Sequence, residues 1–166
     1  WFLATRPKTL MASIGPVILG LAIAHHMRGE LNILIAAITL LCAILMQIGT
    51  NLVNDYFDFI KGVDNEERLG PTRVTASGIL AQSEVKRAYQ LVFLLALILG
   101  VFLMLQGGWP IIIICLTSLL FAYAYTGGPF PLSYNGLGEV SALVFFGPVA
   151  VWGTAYLQGT GLDKFP

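Results

Sequence analysis

The chain has 166 residues, of which 57% are hydrophobic and only 11% charged, and its mean hydropathy is +0.80. Soluble globular domains carry about 25% charged residues, so this composition excludes an ordinary soluble domain and indicates an integral membrane protein. Nine basic and nine acidic residues balance each other. Without a basic surplus, we expect no nucleic-acid binding.

Apolar stretches long enough to cross a bilayer occur five times along the chain. A helix needs about 20 residues to cross about 30 Å of hydrocarbon. The sequence therefore predicts an all-α polytopic membrane protein, a single domain over residues 1–166 with about five transmembrane helices. The predicted spans are Leu10–Met27, Leu31–Asp55, Ala88–Gln106, Trp109–Tyr125 and Val140–Gln158.

Glycine and proline interrupt the first and fifth predicted helices. The first contains Gly15-Pro16 and Gly20, and the fifth contains Gly147-Pro148 and Gly153. Membrane helices use such residues where neighbouring helices approach closely or where a cavity opens. A structural role alone is the favoured interpretation.

Lysine and arginine are unevenly distributed between the two sides of the predicted bundle. Arg28 and Lys164 fall on one side, and the other seven fall on the side of the amino terminus and the loop after the second helix. By the positive-inside rule, the amino terminus and that loop are cytoplasmic in a multi-pass protein of the plasma (inner) membrane. The seven are Arg6, Lys8, Lys61, Arg68, Arg73, Lys86 and Arg87.

Polar residues follow the apolar part of the second helix in the segment "QIGTNLVNDYFDFIKG", from Gln47 to Gly62. Carboxylates and amides at membrane depth are costly, and they mark a functional site by default. At about 100° per residue, six of these residues share one helix face. They are Gln47, Asn51, Asn54, Asp55, Asp58 and Lys61.

Two of these residues are carboxylates one helical turn apart. Asp55 and Asp58 can share one hard cation, and Asn51 and Asn54 add neutral oxygen ligands. Such an oxygen-only set suits Mg²⁺ that bridges to a phosphate.

The loop after this helix supplies cations between glycine turns. Lys61, Arg68 and Arg73 form a plausible clamp for a diphosphate. Lys86 and Arg87 are assigned to membrane topology alone.

These segments resemble the membrane-embedded aromatic prenyltransferases of the UbiA superfamily, whose first aspartate-rich motif is matched by "NLVNDYFDFIKG". Among them, the chain is most similar to the members that prenylate 1,4-dihydroxy-2-naphthoate. The further matching segments are "RPKTL" at Arg6–Leu10, "PVILG" at Pro16–Gly20, "ERLGPTRVTASG" at Glu67–Gly78, "YTGGPFPLSYNGLGE" at Tyr125–Glu139 and "GTAYLQ" at Gly153–Gln158.

The resemblance implies a reaction in a cavity that faces the cytoplasm. A polyprenyl group passes from polyprenyl diphosphate to 1,4-dihydroxy-2-naphthoate, giving demethylmenaquinone, diphosphate and carbon dioxide, with Mg²⁺ as cofactor. Apolar helices in the lipid bilayer would shield the developing allylic cation from water.

The resemblance also implies roles for individual residues. Asp55, Asp58 and Arg73 are the expected catalytic residues, and Asn51 is expected to join the two aspartates as a metal ligand. The expected substrate-binding residues are Asn51, Asn54, Lys61, Arg68, Arg73 and Tyr125.

One feature departs from the family pattern. Family members carry a second aspartate-rich motif in a later helix pair, whereas Glu139 and Asp163 are the only acids after Arg87 and form no such motif. The sequence is therefore expected to be the first five helices of about nine, without the carboxy-terminal part of the domain and inactive by itself.

Two alternative functions remain open. The first is a homogentisate or hydroxybenzoate prenyltransferase of the same superfamily. The second is a fragment of a cation-coupled transporter that binds its ion on the Asn/Asp face. Transport sites tend to lie near the bilayer midplane on broken helices, whereas these acids lie at the end of an unbroken run.

Overall fold

The structure, a computed structural model, describes residues 1–63 and 73–160. Within those ranges its regular elements are all helical, which confirms the all-α membrane class. The elements are α1 (Phe2–Thr5), α2 (Pro7–Arg28), α3 (Ile33–Ile60), α4 (Gln82–Ala124), a 3₁₀ turn (Leu132–Asn135) and α5 (Gly138–Leu157).

Four of these helices are long and apolar enough to cross a membrane: α2, α3, α4 and α5. With 43 residues, α4 would be about 65 Å long if straight, roughly twice the thickness of the hydrocarbon core. It is broken at Gly108, where φ is 66° and ψ is −154°. A Cβ built on Gly100 would lie 3.8 Å from Cys115 Sγ, a contact that a straight helix does not allow. Helix α4 is thus a hairpin of two spans, 82–107 and 109–124, as the sequence predicted.

Helix α3 carries the polar face. It starts at an Asn32 cap, whose side chain accepts a hydrogen bond of 3.1 Å from the Ile35 amide, and it continues without a break to Ile60. At 28 residues it is about 42 Å long, so its last turns extend beyond the hydrocarbon core. The flank beside the polar face is buried: Leu52 and Val53 pack in one cluster with Val85 of α4.

Gly20 of α2 allows this helix to touch α5. A Cβ on Gly20 would lie 2.6 Å from the Val151 carbonyl oxygen and 2.7 Å from Thr154 Cβ, so Gly20 has the close-approach role that the sequence indicated. Helix α5 is itself bent through a π-helical turn at Phe145–Val149, where Gly147 leaves helical geometry with φ −98° and ψ −111°.

Hydrogen bonds join α2, α3 and α5 at the end of the bundle remote from the polar face. Arg28 Nη1 donates to the Gly159 carbonyl at 2.7 Å. The backbone N–H of Asn32 donates to Gln158 Oε1, also at 2.7 Å. The opposite end, where the loops after α3 and α4 meet, contains the polar residues.

Candidate active site

The six polar residues predicted to share one face of α3 do lie along one side of the helix. Lys61 is exposed at its end, and the other five are buried: Gln47, Asn51, Asn54, Asp55 and Asp58. Buried polar groups need partners, because an unpaired group in a low-dielectric interior is costly. The partners of these side chains therefore define the geometry of the site.

Asp58 connects the two loops at this end of the bundle. Arg73 Nη2 donates to Asp58 Oδ2 in an ion pair whose two side chains are each 7% exposed. The Tyr134 hydroxyl donates to the other carboxylate oxygen, Oδ1. Arg73 follows α3 and Tyr134 follows α4, so one carboxylate holds both loops.

Asp55 has main-chain partners. The backbone amides of Val74 and Thr75 each donate to it at 3.0 Å, one to each carboxylate oxygen. Arg6 Nη2 lies 3.8 Å from Asp55 Oδ2. Asp55 is 1% exposed, so its carboxylate is enclosed by the loop after α3 and by the amino-terminal segment.

The two asparagines face different neighbours. Asn51 Nδ2 donates to the Thr5 carbonyl and to Thr9 Oγ1, both at 2.9 Å, and its oxygen accepts from Gln47 Nε2 at 3.2 Å. Asn54 Oδ1 accepts from Thr126 Oγ1 at 2.8 Å. Asn51 thus joins α3 to the start of α2, and Asn54 joins it to the loop after α4.

Three cations are expected to bind phosphate, and the structure describes two of them, Lys61 and Arg73. Lys61 Nζ donates to the Thr126 carbonyl at 2.7 Å and lies 4.8 Å from the centroid of the Tyr134 ring, within cation–π range. Arg73 is held on Asp58. Arg68 lies outside the described residues.

Sequence reasoning gave no site role to Arg6, Thr126 or Tyr134. Arg6 counted only toward topology, yet its side chain is 9% exposed and faces Asp55. Its backbone has φ 50°, and it is the one non-glycine residue with positive φ in the described ranges. Such strained positions cluster at functional sites. No helical period distinguishes Thr126, in the loop after α4, or Tyr134, in the 3₁₀ turn. The matching segment Tyr125–Glu139 is the signal that contains both.

A cavity of about 410 Å³ extends from the polar face into the bundle. Arg6, Asn51 and Asn54 line its polar end, and Tyr125 lies on its wall. The remaining walls are mostly apolar, with Leu103 among them. Tyr125 therefore lies beside the cavity, and its role in substrate binding stays a prediction. A charged end on an apolar cavity suits a ligand with an anionic head and an apolar tail.

The donor set at this end fits a hard cation that also binds phosphate. Within residues 1–63 and 73–160, no group of three or more His, Cys, Asp or Glu side chains could hold a metal. Asp58 and Asn54 offer oxygen donors, and each Asp58 oxygen accepts one described hydrogen bond, which leaves a further lone pair. Mg²⁺ is commonly held by one or two carboxylates together with substrate phosphates. Asp55 and Asn51 stay predicted ligands.

Fold and site together define a polytopic membrane protein with a charged, oxygen-rich pocket at one end of an apolar cavity. The chain belongs to the UbiA prenyltransferase family, whose model matches residues 13–164. This confirms the resemblance drawn from the motifs. Members of the family generally depend on a divalent metal.

Three relatives illustrate the similarity. The 1,4-dihydroxy-2-naphthoate octaprenyltransferase of Escherichia coli K12 is 38% identical over 95% of this chain and 53% of its own length. The 2-carboxy-1,4-naphthoquinone phytyltransferase of Synechocystis is 31% identical over 95% and 50%. UbiA prenyltransferase domain-containing protein 1 of Danio rerio is 32% identical over 100% and 49%. The chain thus spans about half the length of the curated relatives it matches.

Proposed function

We propose that the chain forms the diphosphate-binding part of a prenyltransferase that transfers a polyprenyl group from polyprenyl diphosphate to 1,4-dihydroxy-2-naphthoate. One observation carries the proposal: Arg6, Asn51 and Asn54 line one end of an apolar cavity of about 410 Å³, and the buried carboxylates Asp55 and Asp58 lie beside the two amides on the same helix. The names of the relatives support the naphthoate as acceptor. The apolar cavity suits a polyprenyl tail.

The cations of the site would bind the diphosphate head. Arg6 lines the cavity, and Arg73 forms an ion pair with Asp58. Lys61 lies at the end of the polar face of α3 and donates to the Thr126 carbonyl. Arginine can hold phosphate oxygens through two parallel hydrogen bonds, whereas lysine acts as a point charge. Three cations against Asp55 and Asp58 leave the cluster with a formal surplus of positive charge, which favours an anion.

Asp58 and Asn54 would hold Mg²⁺ together with the phosphate oxygens. Their partners are side chains, Arg73, Tyr134 and Thr126, which can turn aside without moving the backbone. When bound, the ion neutralises negative charge that develops on the departing diphosphate. The fixed cations Arg6, Lys61 and Arg73 would act on the same charge.

The reaction needs ionisation of the donor and attack by the ring. The allylic C–O bond breaks and its electron pair leaves with diphosphate, while the ring carbon that bears the carboxylate forms the new C–C bond. Loss of carbon dioxide returns an electron pair to the ring and restores aromaticity. The atoms balance at the quinol, so its conversion to demethylmenaquinone needs a separate oxidant. Apolar residues such as Leu103 and Ile111 on the cavity wall would exclude water from the allylic cation.

The test uses membranes that contain the full-length protein, Mg²⁺, octaprenyl diphosphate and 1,4-dihydroxy-2-naphthoate labelled in its carboxylate. We expect one labelled carbon dioxide for each diphosphate released, together with a prenylated naphthalenediol in the lipid extract. Homogentisate and 4-hydroxybenzoate serve as competing acceptors, and preferential transfer to either would overturn the acceptor assignment. Cation flux through proteoliposomes without any prenyl transfer would overturn the reaction itself.

A further inference from the structure

We propose that Asp55 is a positioning residue that anchors the loop after α3 and so places Arg73 on Asp58, and that it is not a metal ligand. The loop in question is residues 73–80, here called the Arg73 loop. The catalytic consequence of the proposal depends on the proposed function. The anchoring itself does not, because it follows from contacts within the chain.

The partners of Asp55 differ in kind from those of Asp58. Both oxygens of Asp55 accept main-chain N–H groups, from Val74 and Thr75 at 3.0 Å, whereas Asp58 binds the side chains of Arg73 and Tyr134. A side chain can rotate away to admit a cation. A backbone amide can leave only if the loop moves, so occupation of Asp55 by a metal would displace the Arg73 loop.

The direction of Asp55 on the helix agrees with this division. With Gln47 at zero and about 100° per residue, Asn54 falls near 340°, Asp58 near 20° and Asp55 near 80°. Asn54 lines the cavity, whereas neither Asp55 nor Asp58 is among the described residues that do. Asp58 lies about 40° from Asn54 around the helix, and Asp55 lies about 100° from it. Asp55 instead lies between the Arg73 loop and Arg6, whose Nη2 is 3.8 Å from Oδ2.

Asp55 holds the backbone amides of Val74 and Thr75, and this also fixes the position of the residue directly before them, Arg73. Val74 follows Arg73 directly, and the loop is closed on itself by bonds from Ser77 N to the Arg73 carbonyl at 3.0 Å and from Leu80 N to the Val74 carbonyl at 3.1 Å. The loop therefore behaves as one small rigid turn. Its attachment to Asp55 determines where the Arg73 guanidinium can reach, and Asp55 acts on the diphosphate site through Arg73.

The first test measures the loop in the absence of metal and substrate. Thr75, which is only 5% exposed while the loop is anchored, is replaced by Cys in full-length protein from which Cys42 and Cys115 have been removed, and its reaction with a soluble maleimide is timed. Asp55→Asn replaces one carboxylate oxygen, which accepts a hydrogen bond from a backbone N–H, with an NH₂ group that can only donate, so that hydrogen bond is lost. We expect about tenfold faster labelling than in the parent, equivalent to about 1.4 kcal/mol in favour of the open loop. Unchanged labelling would overturn the anchoring role.

Asn51→Ala is the matched control, because Asn51 is buried on the same helix face but contacts Thr5, Thr9 and Gln47 and not the Arg73 loop. Its labelling should equal that of the parent. If Asn51→Ala opened the loop as much as Asp55→Asn, general loosening of α3 would explain both results and the proposal would fail. Should Asp55→Asn not accumulate in membranes, Asp55→Glu takes its place, with faster labelling expected from its displaced carboxylate.

The second test separates anchoring from metal binding. We expect Asp58→Asn to raise the Mg²⁺ concentration for half-maximal transfer at least tenfold. Asp55→Asn should change it less than twofold while raising the KM for prenyl diphosphate. An equal rise in the Mg²⁺ requirement for both variants would make Asp55 a ligand and overturn the proposal. If the parent protein transfers no prenyl group, the proposed function fails, and the labelling test still decides the anchoring.

Discussion

The guanidinium of Arg73 and the carboxylate of Asp58 form a buried ion pair across 15 residues of chain, with only 7% of each side chain exposed. Removal of one partner from a buried pair leaves the other charge uncompensated. Each of these two charges is therefore tolerated inside the bundle because the other is present.

We expect Arg73→Ala to weaken prenyl diphosphate binding by about 1.5–3 kcal/mol, the usual effect of losing a hydrogen bond to a charged group. Isothermal titration of the full-length protein in detergent with a non-hydrolysable prenyl diphosphate analogue measures the loss. Arg73→Lys is the control: it keeps the charge but not the planar fork, so it should bind with intermediate affinity. Equal affinity of Arg73→Ala and the parent would remove Arg73 from the phosphate site.

Tyr134 has two separable contacts, and two variants distinguish them. Tyr134→Phe keeps the ring 4.8 Å from Lys61 Nζ but removes the hydroxyl that donates to Asp58. Tyr134→Leu removes both. We expect Tyr134→Phe to lower the melting temperature by a few degrees, as for a lost hydrogen bond to a charged group of about 1.5–3 kcal/mol, and Tyr134→Leu to lower it further. Identical melting temperatures for the two variants would show that the ring contact contributes nothing.

Gly20 and Gly15 are a packed and an open glycine on the same helix, α2. A Cβ on Gly20 would lie 2.6 Å from the Val151 carbonyl oxygen, whereas nothing lies within 4 Å of one on Gly15. We expect Gly20→Val to destabilise the protein by about 1–3 kcal/mol through overpacking. Gly15→Ala should be neutral or stabilise α2 by about 0.5–1 kcal/mol. Thermal unfolding followed by circular dichroism tests both, and an unaffected Gly20→Val would contradict the close packing of α2 on α5.

The amino terminus and the Arg73 loop are expected in the cytoplasm, because seven of the nine Lys and Arg residues are predicted on that side. In cells, an impermeant maleimide added outside should miss a Cys at Ala76 and label one at Glu30, which is exposed at the opposite end of the bundle. Labelling of both sites after permeabilisation is the control. The reverse pattern in intact cells would place the diphosphate site outside.

The helices and the polar face could be predicted from the sequence because both are periodic properties of short segments. The spans and the alignment of Asn51, Asn54 and Asp58 follow from length and from about 100° per residue. The loops could not be predicted in this way. That Arg73 reaches Asp58, or that Val74 and Thr75 donate to Asp55, depends on how a turn folds back on a helix, and no local pattern encodes that.

The position of Arg6 in the site could not be predicted from the sequence either. Its charge was visible in the sequence, and its position before the first span suggested membrane topology. Its backbone conformation, φ 50° and ψ 69°, directs the side chain towards Asp55. A non-glycine residue adopts that conformation only where the surrounding structure imposes it.

The single-residue break at Gly108 makes the α4 hairpin intolerant of changes in length. No flexible linker between the two spans could absorb a rotation. The break at Gly108 therefore fixes the rotation of span 109–124 relative to span 82–107, so that Cys115 faces Gly100. One inserted or deleted residue after Gly108 would rotate the second span by about 100°. Cys115 and Ser118 would then leave the cavity wall that they now line. An insertion or deletion at this turn should therefore reshape the wall of the cavity.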